Sequence, residues 1–475
     1  MTEQEKGGLS RRSLLRNTAI AGMGAGLVTL GTGGTAHAQG NATGIPAVGE
    51  DARSWPKRRG SSMMGVPFEK TPNPRFGIIG LGNRGGSMAE ILLAVPGAKI
   101  TALCDNRPEF AAKAAKLVTD AGQPEPAVYT TGDHAYEQLI ARDDVDFVYI
   151  ATPWEWHTPM ALAAMRAGKH VGVECPIGIT VQDLWELVDT SEQTGKHCIQ
   201  LENCSYGQNE LRALRMVHEG KFGQLLHGSG AYLHDLRALL FSDTYYAGEW
   251  RREWHTKLNA DLYPTHGLGP VSAYMDIHRG DKLERITAMS TPALGLAEYR
   301  AANVPQSDSE AWKETYVKGD VTMSLIQTAN GRVIHLVHGV SSPHPYSRLN
   351  YIAGTKGAFE DYPPRIYLEP DHSDDEWKNF DDYKSYDHWL WTDIGPGAGG
   401  HGGMDYIMLF RLAQCLSLGL PPDIDVYDSA AWSAPLPLGV MSTENKGASI
   451  PFPDFTRNDW KTPHAGLDSQ NPDPA

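Results

Sequence analysis

The run "FGIIGLGNRGG", residues 76–86, most constrains what this chain can fold into. "FGIIG" reads as a short buried strand, and Gly80, Gly82 and Gly85 follow it at G-x-G-x-x-G spacing. A strand that turns sharply on glycines into a helix exposes backbone N–H groups at the helix N-terminus, and a pyrophosphate can approach them closely. The continuation keeps the pattern. "RGGSMAEILLAV", "RPEFAAKAAKLVTDAG", "PMALAAMRAG" and "VQDLWELVDTSEQTG" read as helices between the strands "AKITALCD", "DFVYIAT", "HVGVE" and "HCIQLEN". Strands alternating with helices predict a doubly wound parallel sheet, an α/β Rossmann domain over residues 76–204. Asp105 ends the second strand, 20 residues past Gly85. A carboxylate there accepts hydrogen bonds from the ribose hydroxyls of an adenosine and repels a 2′-phosphate. The cofactor read from these residues is therefore NAD, with Arg107 close enough to weaken the preference over NADP.

From residue 205 the character changes. After the helix "QNELRALRMVHEG", the runs "GQLLHGSGAYLHD", "RITAMSTP", "DVTMSLIQTANG", "RVIHLVHGVS" and "LNYIAGTKGAFED" read as strands separated by turn residues. Helices are expected at "MDYIMLFRLAQCLSLG" and, interrupted by its prolines, "VYDSAAWSAPLPLGVMSTENKG". Without βαβ alternation, residues 205–475 are expected to form an α+β domain with a largely antiparallel sheet that binds the substrate and completes the catalytic site.

The N-terminus reads as a targeting segment. Arg11 and Arg12 form a twin-arginine pair ahead of a weakly apolar Gly/Ala stretch, and Ala36-His37-Ala38 is a small-x-small cleavage site. Residues 1–38 are thus expected to be a twin-arginine signal peptide exporting a folded protein to the periplasm or the extracellular space. Residues 39–75, rich in Gly, Pro, Ser and charge, read as a linker or arm. The formal net charge is −15, and residues 1–38 carry four cations and two anions, so the remainder is nearer −17. That balance argues against nucleic acid and anionic membrane as partners. Five cysteines make a poor disulfide framework, and Cys104 and Cys198 sit in strand-like runs as buried thiols. No metal site is expected, and a homo-oligomer is compatible with the sequence.

"ATPWEWHTPM" follows a buried strand at the carboxyl edge of the sheet, where ligands of such folds bind. Trp154 and Trp156 there either offer flat faces to a nicotinamide or ribose or pack beneath the domain interface. "GIIGLGNRG", "CDNRPE", "ATPWEWHTPMALAAMRAGKHVGVECP" and "LENCSYGQNELRALRMV" resemble the glucose–fructose oxidoreductase and inositol dehydrogenase superfamily. That superfamily usually carries Glu-Lys-Pro after "HVGVE", and this chain has Glu174-Cys175-Pro176. "WRREWHTKLNADLYPTHGLGPVSAYMDI", "VSSPHPYSRLNYIAGTKGAFE" and "GHGGMDYIMLFRL" are similar to glycoside hydrolase family 109, the NAD-dependent α-N-acetylgalactosaminidases.

The resemblance implies cofactor contacts at Asn83, Arg84 and Asp105, at Trp154, Glu155, Trp156 and His157, at Glu174 and Cys175, and at Asn203. It implies substrate contacts at Tyr232, Arg251, Tyr263, His266 and Tyr346. It implies hydrolysis of terminal α-N-acetylgalactosamine with retention, through transient oxidation at C3, removal of the C2 proton, elimination of the aglycone, addition of water and re-reduction. An exported enzyme has no supply of fresh NAD⁺, and a cycle that restores its cofactor meets that condition. His266 leads as acid–base residue, because a neutral imidazole can accept the C3 hydroxyl proton. Tyr263 and Tyr346 are further catalytic candidates as hydrogen-bond donors or proton shuttles. Arg251 either clamps the acetamido carbonyl or pairs with Glu253. No carboxylate pair is needed, and none is nominated. The rival expectations are an exported NAD(P)-dependent oxidoreductase passing hydride between two sugars and a non-catalytic sugar-binding protein.

Overall fold

The computed structural model describes residues 56–370 and 375–472. The expected signal peptide and the first part of the arm lie outside these residues. Nearly every residue of β1 (Arg75–Ile79), β4 (Phe147–Ile150), β5 (His170–Val173) and β6 (Cys198–Gln200) is buried. Continuous apolar strands of this kind need cover on both faces, and the crossover helices supply it. With β2 (Lys99–Cys104) and β3 (Ala127–Tyr129) they form a six-stranded sheet in the order β3-β2-β1-β4-β5-β6. Every pairing is parallel, with Phe76 opposite Phe147 and Ile79 opposite Ile150. The three-residue β3 has too little periodicity to stand out in the sequence, yet it completes the sheet's edge.

The second sheet has nine strands in the order β14-β13-β12-β11-β7-β10-β9-β8-β15. These are β7 (Leu225–Leu233), β8 (Leu283–Ser290), β9 (Val321–Thr328), β10 (Val333–Gly339), β11 (Tyr351–Gly354), β12 (Gly357–Glu360), β13 (Arg365–Leu368), β14 (Lys378–Asn379) and β15 (Ile450–Pro451). All pairs are antiparallel except the central one, where β7 and β10 run parallel from His227 opposite Val333 to Leu233 opposite Gly339. The run "LNYIAGTKGAFED" folds as the hairpin β11–β12, because its two glycines and Thr355-Lys356 make a turn.

The helix Thr265–Tyr274 lies across β7. A Cβ on Gly230 would fall 2.2 Å from the carbonyl oxygen of Gly267, and one on Gly267 would fall 2.4 Å from the nitrogen of Ala231. Backbone rests on backbone there, and this fixes where the first turn of the helix sits.

Nucleotide-binding and sheet halves are not separate bodies: the described residues belong to one compact unit with a shared core. The C-terminal segment returns to the first half. The helix Met404–Leu418 packs on Asn83–Leu93, and the helix Val426–Ser433 packs on Val181–Thr194. Ser429 Oγ and Ser433 Oγ accept from the backbone nitrogens of Gln200 (2.9 Å) and Ile177 (3.2 Å). Residues 56–74, read as linker, are fastened to both halves. Arg58 pairs with Glu192 at 3.0 Å, Met63 N donates to the Tyr427 hydroxyl at 3.0 Å, and Phe68 is buried. Local composition is polar there, but the apolar Met63 and Phe68 are placed against distant segments. All five cysteines are buried and free. No helix of the described residues is long and apolar enough to cross a membrane.

Candidate active site

A cavity of about 520 Å³ runs along the carboxyl ends of β1, β2, β4 and β5 and is closed on its other side by residues of the second half. The glycine loop forms one end. Gly80 has φ of +85°, and a Cβ on Gly85 would lie 1.8 Å from the Gly80 carbonyl oxygen. Gly85 therefore lets the helix Asn83–Leu93 start tight against the turn, and it does not itself line the cavity. Gly82 does line it, and a Cβ there would meet only Phe110, at 4.0 Å. The space beside Gly82 is open to a ligand, which fits a pyrophosphate approaching the helix N-terminus. Asp105 stands one residue past β2. Its oxygens accept from the backbone nitrogens of Leu81 (2.6 Å) and Arg107 (2.8 Å), which aims the carboxylate into the ribose end. Burial pushes this carboxyl above its ordinary value, against the pull of those two donors.

Asn83 and Arg84 both line the cavity. The guanidinium of Arg84 bridges two acids, with Nε 2.6 Å from Glu174 Oε1 and Nη1 2.9 Å from Asp405 Oδ1. Tyr149 also donates to Glu174 Oε1, at 2.6 Å. Asn203 donates to Asp405 Oδ1 at 2.8 Å, and His401 Nδ1 meets Asp405 Oδ2 at 2.6 Å. Asp405 is thus the hub joining three segments, and sequence reasoning missed it. Burial alone would raise its carboxyl, but His401 and Arg84 outweigh burial and hold it below the usual range. An acid opening a helix straight after "GHGG" was the available signal. His401 of the same motif lines the cavity.

The helix expected over "PMALAAMRAG" begins earlier, at Trp154, and runs to Arg166 with Pro159 inside it. The proline reads in sequence as a helix start. Here it sits within the helix at the loss of one backbone hydrogen bond. Trp154, Trp156 and His157 line the cavity; Glu155 is exposed and does not, which corrects its expected cofactor contact. His157 turns both ring nitrogens to backbone carbonyls, Nδ1 to Pro176 at 2.7 Å and Nε2 to Thr152 at 2.8 Å. It braces the loops under the cavity, and burial lowers its basicity.

Three segments meet at the centre. Glu202, just past β6, is fully buried. Its Oε1 accepts from His266 Nδ1 at 2.6 Å and from the Cys204 nitrogen at 3.1 Å, and its Oε2 accepts from Cys175 Sγ at 3.2 Å. Burial would raise the Glu202 carboxyl, but the neighbouring His266 outweighs it and holds the group at about 2. Burial first, and then the Glu202 charge, push the Cys175 thiol well above its ordinary value, so it stays protonated and is no nucleophile. A carboxylate only accepts, so Nδ1 of His266 carries a hydrogen, which leaves Nε2 as the ring nitrogen free to exchange a proton. His266 and Cys175 line the cavity and Glu202 lies behind them. Glu202 is the main residue missed: "LEN" offered a carboxylate, but only the fold brings it to His266.

Around this centre stand Tyr263, edge-on to His266 with ring centroids 4.7 Å apart, and Tyr232 at 5.5 Å. Arg251 is buried with its guanidinium 4.7 Å from the Tyr263 ring and 5.3 Å from Trp154, and it donates to the Tyr246 hydroxyl at 2.9 Å. It does not pair with Glu253, whose carboxylate meets Lys257 at 2.6 Å, and no ion pair of Arg251 occurs among the described residues. Glu253 points along the exposed face of the short helix Trp250–Lys257 while Arg251 points inward. The cavity therefore holds an uncompensated cation in an aromatic frame. Tyr245, Tyr246 and Trp250 of the run "DTYYAGEW" complete this wall and were not anticipated, although the aromatic density was there to read.

Tyr346 is a correction. It does not line the cavity; its ring lies edge-on behind Tyr232 at 6.1 Å and its hydroxyl accepts from Arg348 at 3.1 Å. Arg348 is anchored on Glu210, which draws Tyr346 into a second layer.

A parallel six-stranded sheet with a glycine loop, an acid after the second strand and a cavity along its carboxyl edge define an NAD-binding protein of the oxidoreductase fold. Residues 74–201 match the oxidoreductase family with an NAD-binding Rossmann fold, and residues 206–462 match the glycosyl hydrolase 109 C-terminal domain. The chain belongs to glycosyl hydrolase family 109. A glycosyl hydrolase family 109 protein of Saccharopolyspora erythraea is 63% identical over 470 residues, 99% of either chain, and one of Streptomyces niveus is 58% identical over 99% of this chain and 96% of its own. A levoglucosan dehydrogenase solved in complex with NADH and L-sorbose shares the fold, with a TM-score of 0.62 at 19% identity over 81% of this chain and 100% of its own.

Proposed function

We propose that this protein is an exported glycosidase that hydrolyses terminal α-N-acetylgalactosamine with retention, passing through transient oxidation at C3. The glycine loop, Asn83, Asp105 and the tryptophan wall would hold NAD, which when bound would supply the acceptor for hydride from C3 and its later return. The observation that carries the reading is the His266–Glu202 pair at the inner end of the cofactor cavity.

Nε2 of His266 accepts the C3 hydroxyl proton as the carbon is oxidised. Buried Glu202 stabilises the imidazolium that results. The charged ring then stands beside the C3 oxygen as the C2 proton leaves and negative charge builds there, which lowers the cost of elimination. Arg251 offers a fixed positive charge to the acetamido carbonyl, and Trp154, Tyr232 and Tyr263 give the sugar ring flat faces and hydroxyl donors. Burial pushes the Tyr263 phenol well above its ordinary value, so it serves as donor and not as base. Cys175 occupies the place where the superfamily carries its lysine. Among the described residues no lysine lines the cavity to serve simple alcohol dehydrogenation, and this favours the glycosidase over the sugar oxidoreductase. Export in folded form by the twin-arginine route, supported by Arg11-Arg12 and the cleavage site, belongs to the same proposal.

The test is the mature protein assayed on a panel of nitrophenyl glycosides, with product anomer and C2 deuterium followed by NMR in D₂O. Cleavage of the α-N-acetylgalactosaminide with retention and deuterium at C2 is the expected outcome. Efficient turnover of a 3-deoxy substrate overturns the mechanism. Oxidation of free sugars without cleavage replaces it with the oxidoreductase, and tight sugar binding without turnover replaces it with a binding protein.

A further inference from the structure

Cys175, Glu202 and His266 bring a thiol, a carboxylate and an imidazole to one point, each offering one donor atom, all within 4.8 Å of one another. They come from three separate segments: the end of β5, the end of β6, and the first turn of the helix Thr265–Tyr274. Sulfur, nitrogen and one hard oxygen are the donor set of a borderline-soft divalent cation, and Mg²⁺, which takes oxygens in octahedral array, has no place here. Tetrahedral Zn²⁺, with bonds of roughly 2.0–2.3 Å, holds its donors roughly 3.3–3.7 Å apart. Cys175 lies 3.2 Å from one Glu202 oxygen and His266 2.6 Å from the other, so whichever oxygen ligates would open slightly from its present partner, and no pair would need to close by more than roughly 1.5 Å. Cys175 and His266 also line the cavity, so a fourth coordination position would face it.

We propose that this cluster binds one thiophilic divalent cation, with Zn²⁺ as the representative, and that its binding switches the site off. With a neutral imidazole the cluster holds two protons, one on Sγ and one on Nδ1. The cation takes Sγ as thiolate, and that proton leaves to solvent. It takes the Nδ1 lone pair, and the ring proton passes to Nε2. One Glu202 oxygen completes the set. The imidazole then presents an N–H where a base is needed, so inhibition comes from the inverted tautomer. The inhibitory half rests on His266 being the base of the proposed reaction; the cation site itself does not.

The experiment uses NAD-loaded protein freed of metal by a chelator. Titration with Co²⁺ is expected to give one ion per chain with a thiolate-to-cobalt charge-transfer band, absent in Cys175→Ser or, should that variant not fold, Cys175→Ala. Zn²⁺ is expected to displace Co²⁺ and, added to metal-free protein, to release one proton per site. Zn²⁺ is expected to inhibit glycoside cleavage reversibly, with activity restored by EDTA and untouched by Mg²⁺. Against each protein's own metal-free rate, the half-inhibiting Zn²⁺ concentration should rise at least about tenfold on loss of the sulfur. No charge-transfer band in the parent protein, or an equal band in the cysteine variants, overturns the site. A band with Zn²⁺-insensitive cleavage overturns the switch. The cobalt spectrum reads the site even if the protein cleaves no glycoside, so the two failures are distinguishable.

Discussion

His266 Nδ1 lies 2.6 Å from Glu202 Oε1, and the carboxylate it faces is fully buried. The pair couples a cavity-lining imidazole to a charge that substrate cannot reach. Glu202 accepts the Nδ1 hydrogen and so orients the ring, and His266 outweighs burial in holding the Glu202 carboxyl at about 2. His266→Ala should slow NADH formation in a single turnover by about 10²–10⁴. Glu202→Gln should slow it by at least about 10² and alter its pH profile, because the glutamine amide can donate to Nδ1 and push the ring proton to Nε2. The double variant should be little slower than His266→Ala, as expected for groups acting as a unit. NAD content should stay near the parent's in each. Stopped-flow absorbance checks this, and an unchanged rate in His266→Ala removes the residue from the mechanism.

The glycine loop separates fold from binding. Gly85→Ala puts a methyl 1.8 Å from the Gly80 oxygen and should lower the melting temperature or prevent soluble expression. Gly82→Ala meets nothing nearer than Phe110 at 4.0 Å, so the apoprotein should melt close to the parent while NAD is lost. Calorimetry with and without added NAD distinguishes the two. Equal losses of stability in both variants would contradict the assignment.

NAD should co-purify at near one per chain and survive extended dialysis. Asp105→Ala should lower that stoichiometry, since the ribose hydroxyls lose a charged acceptor and the Leu81 nitrogen loses its 2.6 Å partner. Cofactor released by heat and measured by absorbance reads the change. An active, dialysed protein containing no NAD(H) would refute the resident cofactor.

Outside the cavity lining, His218 fastens the C-terminal segment. Its Nδ1 lies 2.7 Å from Asp468 and its Nε2 lies 3.4 Å from Asp276. Hydrogen bonds to Asp276 and then Asp468 raise the imidazole from its ordinary 6.5 to about 9. A raised histidine contributes fully below its unfolded value and loses its contribution as pH rises through the folded one. The melting temperature should therefore fall between pH 6.5 and about 9, and His218→Gln should flatten that slope. Thermal scans across this range test it, and an equal slope in parent and variant argues the tie away.

Sequence alone determined the architecture of the first half and the kind of cofactor. Strand-to-glycine-turn, helix opening and acid after the second strand are local patterns, each set by residues within a few positions, so Gly80, Gly82, Gly85 and Asp105 could be read directly. The family motifs likewise carried Tyr232, Arg251, Tyr263 and His266 to the cavity they share. What chain order could not supply was the company these residues keep. Glu202 meets His266 across 64 positions and Asp405 meets Arg84 across 321, and both contacts arise only because Gly230 and Gly267 touch and the C-terminal helices fold back on the first sheet. Glu155 and Tyr346 stood in the right motifs and left the cavity, one by the phase of a helix that began earlier than Pro159 suggested, the other because Tyr232 stands in front of it and Arg348 holds its hydroxyl. Local pattern fixes backbone conformation, because sterics and hydrogen bonding act between near neighbours. Which side chains share a buried charge is decided by long-range packing, and here that packing set the histidine of a local motif against a buried carboxylate.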